Sequence, residues 1–470
     1  MLDADVNAAI DKTRNAIGTY ATAIDVANDS QRKKWIAEAD MVISLLPPSL
    51  HYLVATDCIH FGKHLLTASY VDAAMKELEH EVADKGILFL CEMGLDPGID
   101  HMSAMKILHK LQKEGSNVTS FRSHCGGLVA PESDDNIWRY KISWNPRNIV
   151  LAGKAGAIFR ERGEIVKVPY NSLFNPNNIV EVNGLGVLSW YPNRDSLQYI
   201  SEYGLNDAST FIRTTLRYPE FCFGWNNIIE LKLTDETPVY DTDGMSLREF
   251  FRIHLHQHGF SEWIEKELTS KFEQTKLLLE KLQQLLDAEE EVDEDQMREL
   301  QDFMMVNPKG KLMDVNLEEV KTKAAATVAG QMHEANLAIK QLFFLGMDDN
   351  ETIINKGRCS AADVLQFALE KKLALKDVDK DMIVMLHEIG YEKNGKPGSI
   401  KSSLIVKGEN NVRTAMAKTV GLPLGIAAKL ILQGKINLTG LHIPIVPEIY
   451  LPVLDELEKY GIVFEEKLKA

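Results

Sequence analysis

From residue 22 to residue 100 the chain alternates short apolar runs with longer stretches whose apolar residues recur at helical spacing. The runs are TAIDV (22–26), MVISLLPPS (41–49), HLLTASY (64–70) and ILFLCEMG (87–94), with QRKKWIAEAD (31–40) and DAAMKELEHEVADKG (72–86) between them. Nearly continuous apolar strands separated by helices of about 10 to 15 residues predict a parallel sheet covered on both faces. The first domain is therefore expected to be a doubly wound, Rossmann-like α/β domain. From about residue 118 the pattern changes. VTSFRSHCGGLVAPE, YKISWNPRNIVLAG and GEIVKVPY are β-like, rich in turns and aromatic residues, and predict a mixed α+β domain.

The stretch from 240 to 380 is helix-rich. It includes a long helical repeat of apolar residues over 271–304 and an acidic run from Glu289 to Asp295 that reads as solvated surface or an interhelical loop. DMIVMLHEIGYEKNG and PGSIKSSLIVKG predict a hairpin around NGKPG. The apolar helix in 413–436 is expected to pack back on the first domain. The predicted division is a Rossmann-like domain over 1–117, completed by about 411–440; an α+β substrate and dimerisation domain over 118–240, 381–410 and 441–470; and a helical domain over 241–380.

Charge and cysteine narrow the function class. The 68 acidic residues outweigh 52 basic ones, a formal net charge of -16, which disfavours nucleic acid or an anionic membrane and favours a small-molecule ligand. The five cysteines stand singly with no CxxC pair, so neither a disulfide framework nor a zinc site is suggested, and a reducing cytoplasm is expected. His254, His256 and His258 in RIHLHQHGF would share one side only in a strand; in a helix they fan out, so no metal is expected.

In open parallel sheets a ligand lies at the carboxyl ends of the strands. Here those ends carry Asp25 and Val26; Ser44, Leu45, Leu46 and Pro47; Ser69, Tyr70 and Val71; and the turn GLDPG with Asp96. The first group is expected to border an adenine and the second and third to line the neighbouring cofactor crevice. GLDPGIDH sits where a strand hands over to a helix. Asp100 is expected to cap that helix, Asp96 to face the ligand, and His101 to serve as a structural hydrogen-bonding residue with a proton relay as its second reading. The glycine-rich turn that holds a pyrophosphate is missing: no GxGxxG occurs, and Gly184 and Gly186 in VNGLGVLSW precede a strand, not a helix. The simplest expectation is a sheet lacking about one βα unit and a strand at its N-terminus, which would leave a strand edge open.

The ordered motifs VISLLPPSLH, LLTASYVDAAM, GLDPGIDH, HCGGLVAPESDDN, YKISWNPRNIVLAG, YPNRDS, IRTTLRYPEF and AMAKTVGLPLGIAAKLILQGKI run along essentially the whole chain. In these the sequence resembles the saccharopine dehydrogenase family of the L-glutamate-forming type. The resemblance implies a Rossmann domain, an α+β domain that also dimerises, and a helical domain. It also implies reversible oxidation of saccharopine with NADP, or NAD, and water to L-glutamate and 2-aminoadipate 6-semialdehyde, in lysine metabolism. An inactive homologue that binds an amino acid or a protein partner, and an imine reductase making a carboxylated polyamine, are the alternatives. Residue by residue, the resemblance assigns Arg194 in YPNRDS to a substrate carboxylate and Thr215 to a further donor. Cys125 and Gly126 offer backbone contacts, and Lys141 is a candidate carboxylate partner. Asp96 and Tyr70 sit beside the reacting amine as the catalytic pair. The chain departs from the family at Pro48, where an aromatic residue is common, and at His124, where tyrosine is, so one pocket wall is expected to differ.

Overall fold

The computed structural model describes residues 1–259, 304–306, 312–314 and 336–469. Apart from Met304, the predicted helical run over 271–304 lies outside the described residues, as does the acidic run from Glu289 to Asp295. By chain contacts the protein divides into two compact units, residues 1–134, 153–219 and 375–470 forming one and residues 135–152 and 220–374 the other.

The first unit contains two principal sheets. Its leading segment, β1 (Leu2–Asp3), α1 (Val6–Thr13) and β2 (Thr22–Ala23), forms a separate two-stranded parallel pair. There follow α2 (Asp29–Glu38), β3 (Met41–Ser44), α3 (Pro48–Phe61), β4 (His64–Thr67), α4 (Ala73–Glu77), α5 (Glu79–Asp84), β5 (Leu88–Leu90) and α6 (Ile99–Lys113). The expected single helix over 72–86 is thus two short ones, with Leu78 ending the first and starting the second. Next come β6 (Asn117–Val129), β7 (Ala157–Glu161), β8 (Glu164–Val168), β9 (Ile179–Val182), β10 (Gly186–Pro192), α7 (Gln198–Glu202) and β11 (Thr210–Arg217). The chain returns to this unit through β12 (Asp381–Lys393), β13 (Lys396–Lys407), α8 (Ala415–Leu432), β14 (Gly440–His442), α9 (Pro447–Glu458) and β15 (Glu465–Lys469).

β14, β5, β4 and β3 form a four-stranded parallel sheet in that order. The other sheet has nine strands and runs β15-β13-β12-β6-β11-β10-β9, with β7 joined to β11 and β8. Only β6 and β11 pair in parallel within it. The hairpin of β12 and β13 turns on Asn394 and Gly395, both at positive φ (52° and 75°), the primed turn that matches strand twist. Residues 441–470 are shared between the sheets, since β14 joins the parallel one and β15 the mixed one.

Side-chain alternation explains the layers. Leu65 and Phe89 face α2, α3 and α5, while Leu66, Leu88 and Leu90 face the opposite way into the main core. That core also takes Met102, Met105 and Leu108 of α6, Leu424 and Ala427 of α8, and Phe121, Phe211, Ile383 and Met385 of the mixed sheet. α8 is apolar and long enough to cross a membrane by length and composition. Its Ala415, Thr419, Leu424, Ile426, Ala427 and Leu430 are buried instead, as in a core helix packed on β12 and β4.

In the second unit the helix Leu247–Gln257 carries His254 and His256, and His258 caps its C-terminus. His254 points inward, between the Tyr240 hydroxyl at 2.7 Å and the Leu231 carbonyl at 2.8 Å, whereas His256 is exposed. Burial lowers the His254 pKa to about 4.

Candidate active site

β5 ends at Leu90 and the chain turns through Gly94 to Gly98 before α6 begins. Gly98 has φ 146°, and a Cβ there would lie 2.0 Å from the Gly94 carbonyl oxygen, so only glycine fits. The turn closes by Gly94 N–H donating to the Pro97 carbonyl at 2.9 Å and Ile99 N–H to the Gly94 carbonyl at 2.9 Å. Asp100, in the first turn of α6, accepts the Gly98 N–H at 2.6 Å. This is a variant of capping, in which the acid restrains the turn itself and its charge sits at the helix N-terminus.

Asp96 projects from this turn toward Tyr70, which follows β4. The Tyr70 hydroxyl donates to Asp96 Oδ1 at 3.2 Å. Arg213 of β11 supplies the counter-charge: its Nη2 lies 2.7 Å from Asp96 Oδ1 and 2.7 Å from Asp100 Oδ2. The guanidinium is buried and also stacks on the Tyr199 ring at 4.4 Å. Burial and then the Asp100 charge push the Asp96 carboxyl up to about 6, against the pull of Arg213. Burial would raise Asp100 as well, but His101, Arg213 and the Gly98 N–H hold it below the ordinary carboxylate value. Burial, reinforced by Asp96, raises the Tyr70 phenol and keeps it a donor. Two carboxylates thus share one arginine at neutral pH, and the site favours a cation beside Asp96.

Arg194 lies after β10 in left-handed backbone, φ 52°, with its side chain exposed. Its guanidinium stands 5.2 Å from the Tyr70 ring centroid, and among the described residues it meets no carboxylate. Thr215 is half-buried in β11, in register with Tyr191 on one side and Cys125 on the other. Cys125 is buried, and burial raises its thiol well above the ordinary range. Gly126 lies inside β6, where a Cβ would come 2.5 Å from the Leu216 carbonyl oxygen; close strand approach requires the glycine. Lys141 belongs to the second unit. It is buried, with Nζ 2.8 Å from the Asp135 carboxylate.

On the parallel sheet, His51 of α3 joins two strand ends. Its Nδ1 meets the Ser44 hydroxyl at 2.8 Å and its Nε2 the Ser69 hydroxyl at 2.8 Å. Burial lowers the His51 pKa. Leu45, 69% exposed, and half-buried Leu46 follow β3; Pro47 is the N-cap of α3, and no side chain caps the first N–H groups of that helix. An apolar lip beside an uncapped helix start suits a flat ring next to an anion, so the residues present fit the ring end of a dinucleotide. Asp25 and Val26 do not end a strand, because β2 stops at Ala23. Asp25 instead folds a turn, accepting the Ala27 N–H at 3.0 Å, which leads into the Asn28 cap of α2.

Arg213, His51, Glu92 and Tyr199 escaped sequence reasoning. A lone arginine between the apolar and threonine positions of IRTTL was the available signal for Arg213, since an unpaired charge is not tolerated inside a sheet. His124 does not line this site. It lies between the Thr214 hydroxyl at 2.7 Å and Glu388 at 3.3 Å, near Trp190, one residue out of phase with Cys125.

Residues 94–462 match the family model described as the saccharopine dehydrogenase C-terminal domain, and residues 3–90 the saccharopine dehydrogenase NADP binding domain. The chain is 31% identical over 455 residues to saccharopine dehydrogenase (NADP(+), L-glutamate-forming) of Saccharomyces cerevisiae, covering 96% of this chain and 90% of that protein. It is 32% identical over 455 residues to the alpha-aminoadipic semialdehyde synthase of Arabidopsis thaliana, covering 95% of this chain but 38% of that longer protein. Among solved structures, apo histidine-tagged saccharopine dehydrogenase (L-Glu forming) from Saccharomyces cerevisiae superposes with a TM-score of 0.76 at 27% identity, covering 100% of this chain and 93% of that one. The α/β architecture, the cluster around the GLDPG turn and these matches lead to one conclusion: the chain belongs to the saccharopine dehydrogenase family.

Proposed function

We propose that this chain oxidises saccharopine at the carbon beside its secondary amine, with NADP as acceptor. Saccharopine, NADP+ and water give L-glutamate, 2-aminoadipate 6-semialdehyde, NADPH and a proton. The observation that carries this reading is the Tyr70–Asp96–Arg213 cluster with the carboxylate-free Arg194 beside it. Saccharopine bears three carboxylates, a secondary ammonium and a primary ammonium; Asp96 can face the secondary ammonium and Arg194 can take one of the carboxylates.

Asp96, ionised just above its titration near pH 6, accepts the ammonium proton and frees the nitrogen lone pair. The same carboxylate then faces the positive charge that develops as the carbon–nitrogen bond gains double-bond character. Tyr70 orients Asp96 by donating to it. Arg194 takes a substrate carboxylate in its planar fork, and Thr215 adds a hydroxyl donor. Bound NADP supplies the hydride acceptor; Ser44, Leu45, Leu46, Pro47, Ser69 and Val71 are the residues that would hold its ring end. Water then adds to the oxidised carbon, and Asp96 returns its proton as the carbon–nitrogen bond breaks. The parallel sheet is on this reading the cofactor side of the first unit, and the mixed sheet its substrate side.

The test is product analysis with the purified protein. Saccharopine and NADP+ should yield glutamate, the semialdehyde and NADPH in equal amounts. Turnover of carboxylated polyamines with none of saccharopine would overturn the assignment.

A further inference from the structure

Glu92 is the residue of this region that the chemistry above leaves unused, and its setting is unusual. It follows β5 in left-handed backbone, φ 58°, a strained choice for a residue with a side chain. It is 2% exposed, yet its carboxylate is fully engaged by three different segments. Oε1 accepts the Val71 N–H at 3.0 Å; Oε2 accepts the Tyr199 hydroxyl at 3.0 Å and meets His101 Nε2 at 2.8 Å. The other His101 nitrogen meets the Tyr203 hydroxyl at 2.5 Å. The backbone agrees with the side chain, since Glu92 N–H donates to the Ser69 carbonyl at 3.1 Å.

Each tethered segment delivers one part of the cluster. Val71 adjoins Tyr70. His101 adjoins Asp100 in α6, directly after the turn that carries Asp96. Tyr199 lies in α7, after Arg194, and its ring supports the Arg213 guanidinium at 4.4 Å. Glu92 itself makes no hydrogen bond to Asp96, Tyr70 or Arg213. Backbone strain of this kind persists where surrounding contacts over-determine it, and three charge-assisted bonds do so here.

We infer that Glu92 is the positioning residue of the site, a buried anchor that fixes Tyr70 through Val71 and Arg213 through Tyr199 so that both reach Asp96. The inference rests on the proposed function for its catalytic consequence, but its geometry can be read without substrate. Asp96 is faced by Tyr70 next to β4, by Asp100 and His101 of α6, and by Arg213 of β11.

Two variants test it. Glu92→Gln keeps the shape but has one acceptor oxygen, so it cannot serve both the Val71 N–H and the Tyr199–His101 pair; Glu92→Gly removes the carboxylate and the backbone strain together. The first readout is the Asp96 carboxyl titration, followed by carbon NMR with labelled aspartate and assigned with Asp96→Asn. Removing a nearby negative charge with no change in position would move that titration down. Loss of positioning loosens Arg213 and moves it up, and an upward shift in both variants is the expected result. The second readout is the split of kinetic constants: kcat should fall roughly tenfold to a hundredfold, as misplaced catalytic groups do, while the saccharopine KM stays within about threefold because Arg194 is held by a separate backbone contact, its carbonyl accepting the Ile158 N–H. A downward or unchanged titration, or a KM that rises in step with a kcat that does not fall, would overturn the inference. Absence of saccharopine turnover in the unmodified protein would count against the proposed function alone, since the titration is then still decisive for Glu92.

Discussion

Replacing Arg213 by Met probes the charge balance on which the chemistry depends. The substitution conserves much of the side-chain volume and removes the cation that lies 2.7 Å from both Asp96 and Asp100. An opposite charge in contact lowers a carboxylate pKa by about 1–3 units, so its loss raises Asp96 from about 6 to roughly 8. At pH 7 the ionised fraction then falls from roughly 90% to roughly 10%, about a ninefold loss of the form that accepts a proton. Removing one partner of a buried pair also costs about 3–5 kcal/mol of stability, and protonation of Asp96 should bring the cost to the lower end. The assay is kcat/KM for saccharopine across the pH range, with urea unfolding in parallel. The acid limb should move from about 6 toward ~8, and activity should recover in alkali. A limb that stays near 6 while activity drops equally at every pH would show that Arg213 does not govern Asp96, and the reasoning would fail.

Other expectations follow from the same geometry. Arg194→Ala should raise the saccharopine KM roughly 10-fold to 100-fold, the worth of a charged hydrogen bond, and leave the NADP Kd unchanged by calorimetry; equal effects on both ligands would remove Arg194 from the substrate site. Gly126→Ala should force β11 away from β6, because its Cβ would stand 2.7 Å from that of Leu216, and lower stability by about 1–3 kcal/mol in denaturant. Glu388 has a folded-state pKa of about 2, below its ordinary 4.5, held there first by the His124 hydrogen bond and then by Lys401. Its contribution is present above pH 4.5 and lost as the pH falls through about 2. The full shift corresponds to ~3 kcal/mol, which exposure of a quarter of the side chain reduces to about 1–2 kcal/mol. Glu388→Gln should therefore flatten the loss of stability between those pH values, and an unchanged acid unfolding curve would contradict the assignment.

Much of the fold was legible because it is written in periodicity. The runs at 41–49, 64–70 and 87–94 and the two segments around NGKPG became strands, since buried strands need continuous or alternating apolar positions and a primed turn needs Asn-Gly. The second half of TAIDV was misleading. Asp25 forms its own turn and stops the strand, a competition between side chain and backbone that apolar pattern does not report. The helix over 72–86 divides at Leu78 for a reason no residue there announces. Within the site, Tyr70, Asp96 and Arg194 could be named from motifs, and the structure brings them together. Arg213 could not, because its role depends on β11 pairing with β6 and bringing a guanidinium to Asp96, 117 residues away from it in sequence. Glu92 and His51 were hidden for the same reason: their partners come from elements distant in the chain.

The central claim is that Asp96 and its neighbours oxidise the carbon beside the amine of saccharopine. It is tested most directly with saccharopine deuterated at that carbon of its lysine-derived half. The account predicts that NADP+ is reduced with the label transferred to NADPH, that glutamate appears without label, and that Asp96→Asn slows the transfer. Label retained in an aldehyde-free product, or no reaction from a folded protein that binds NADP, would contradict it.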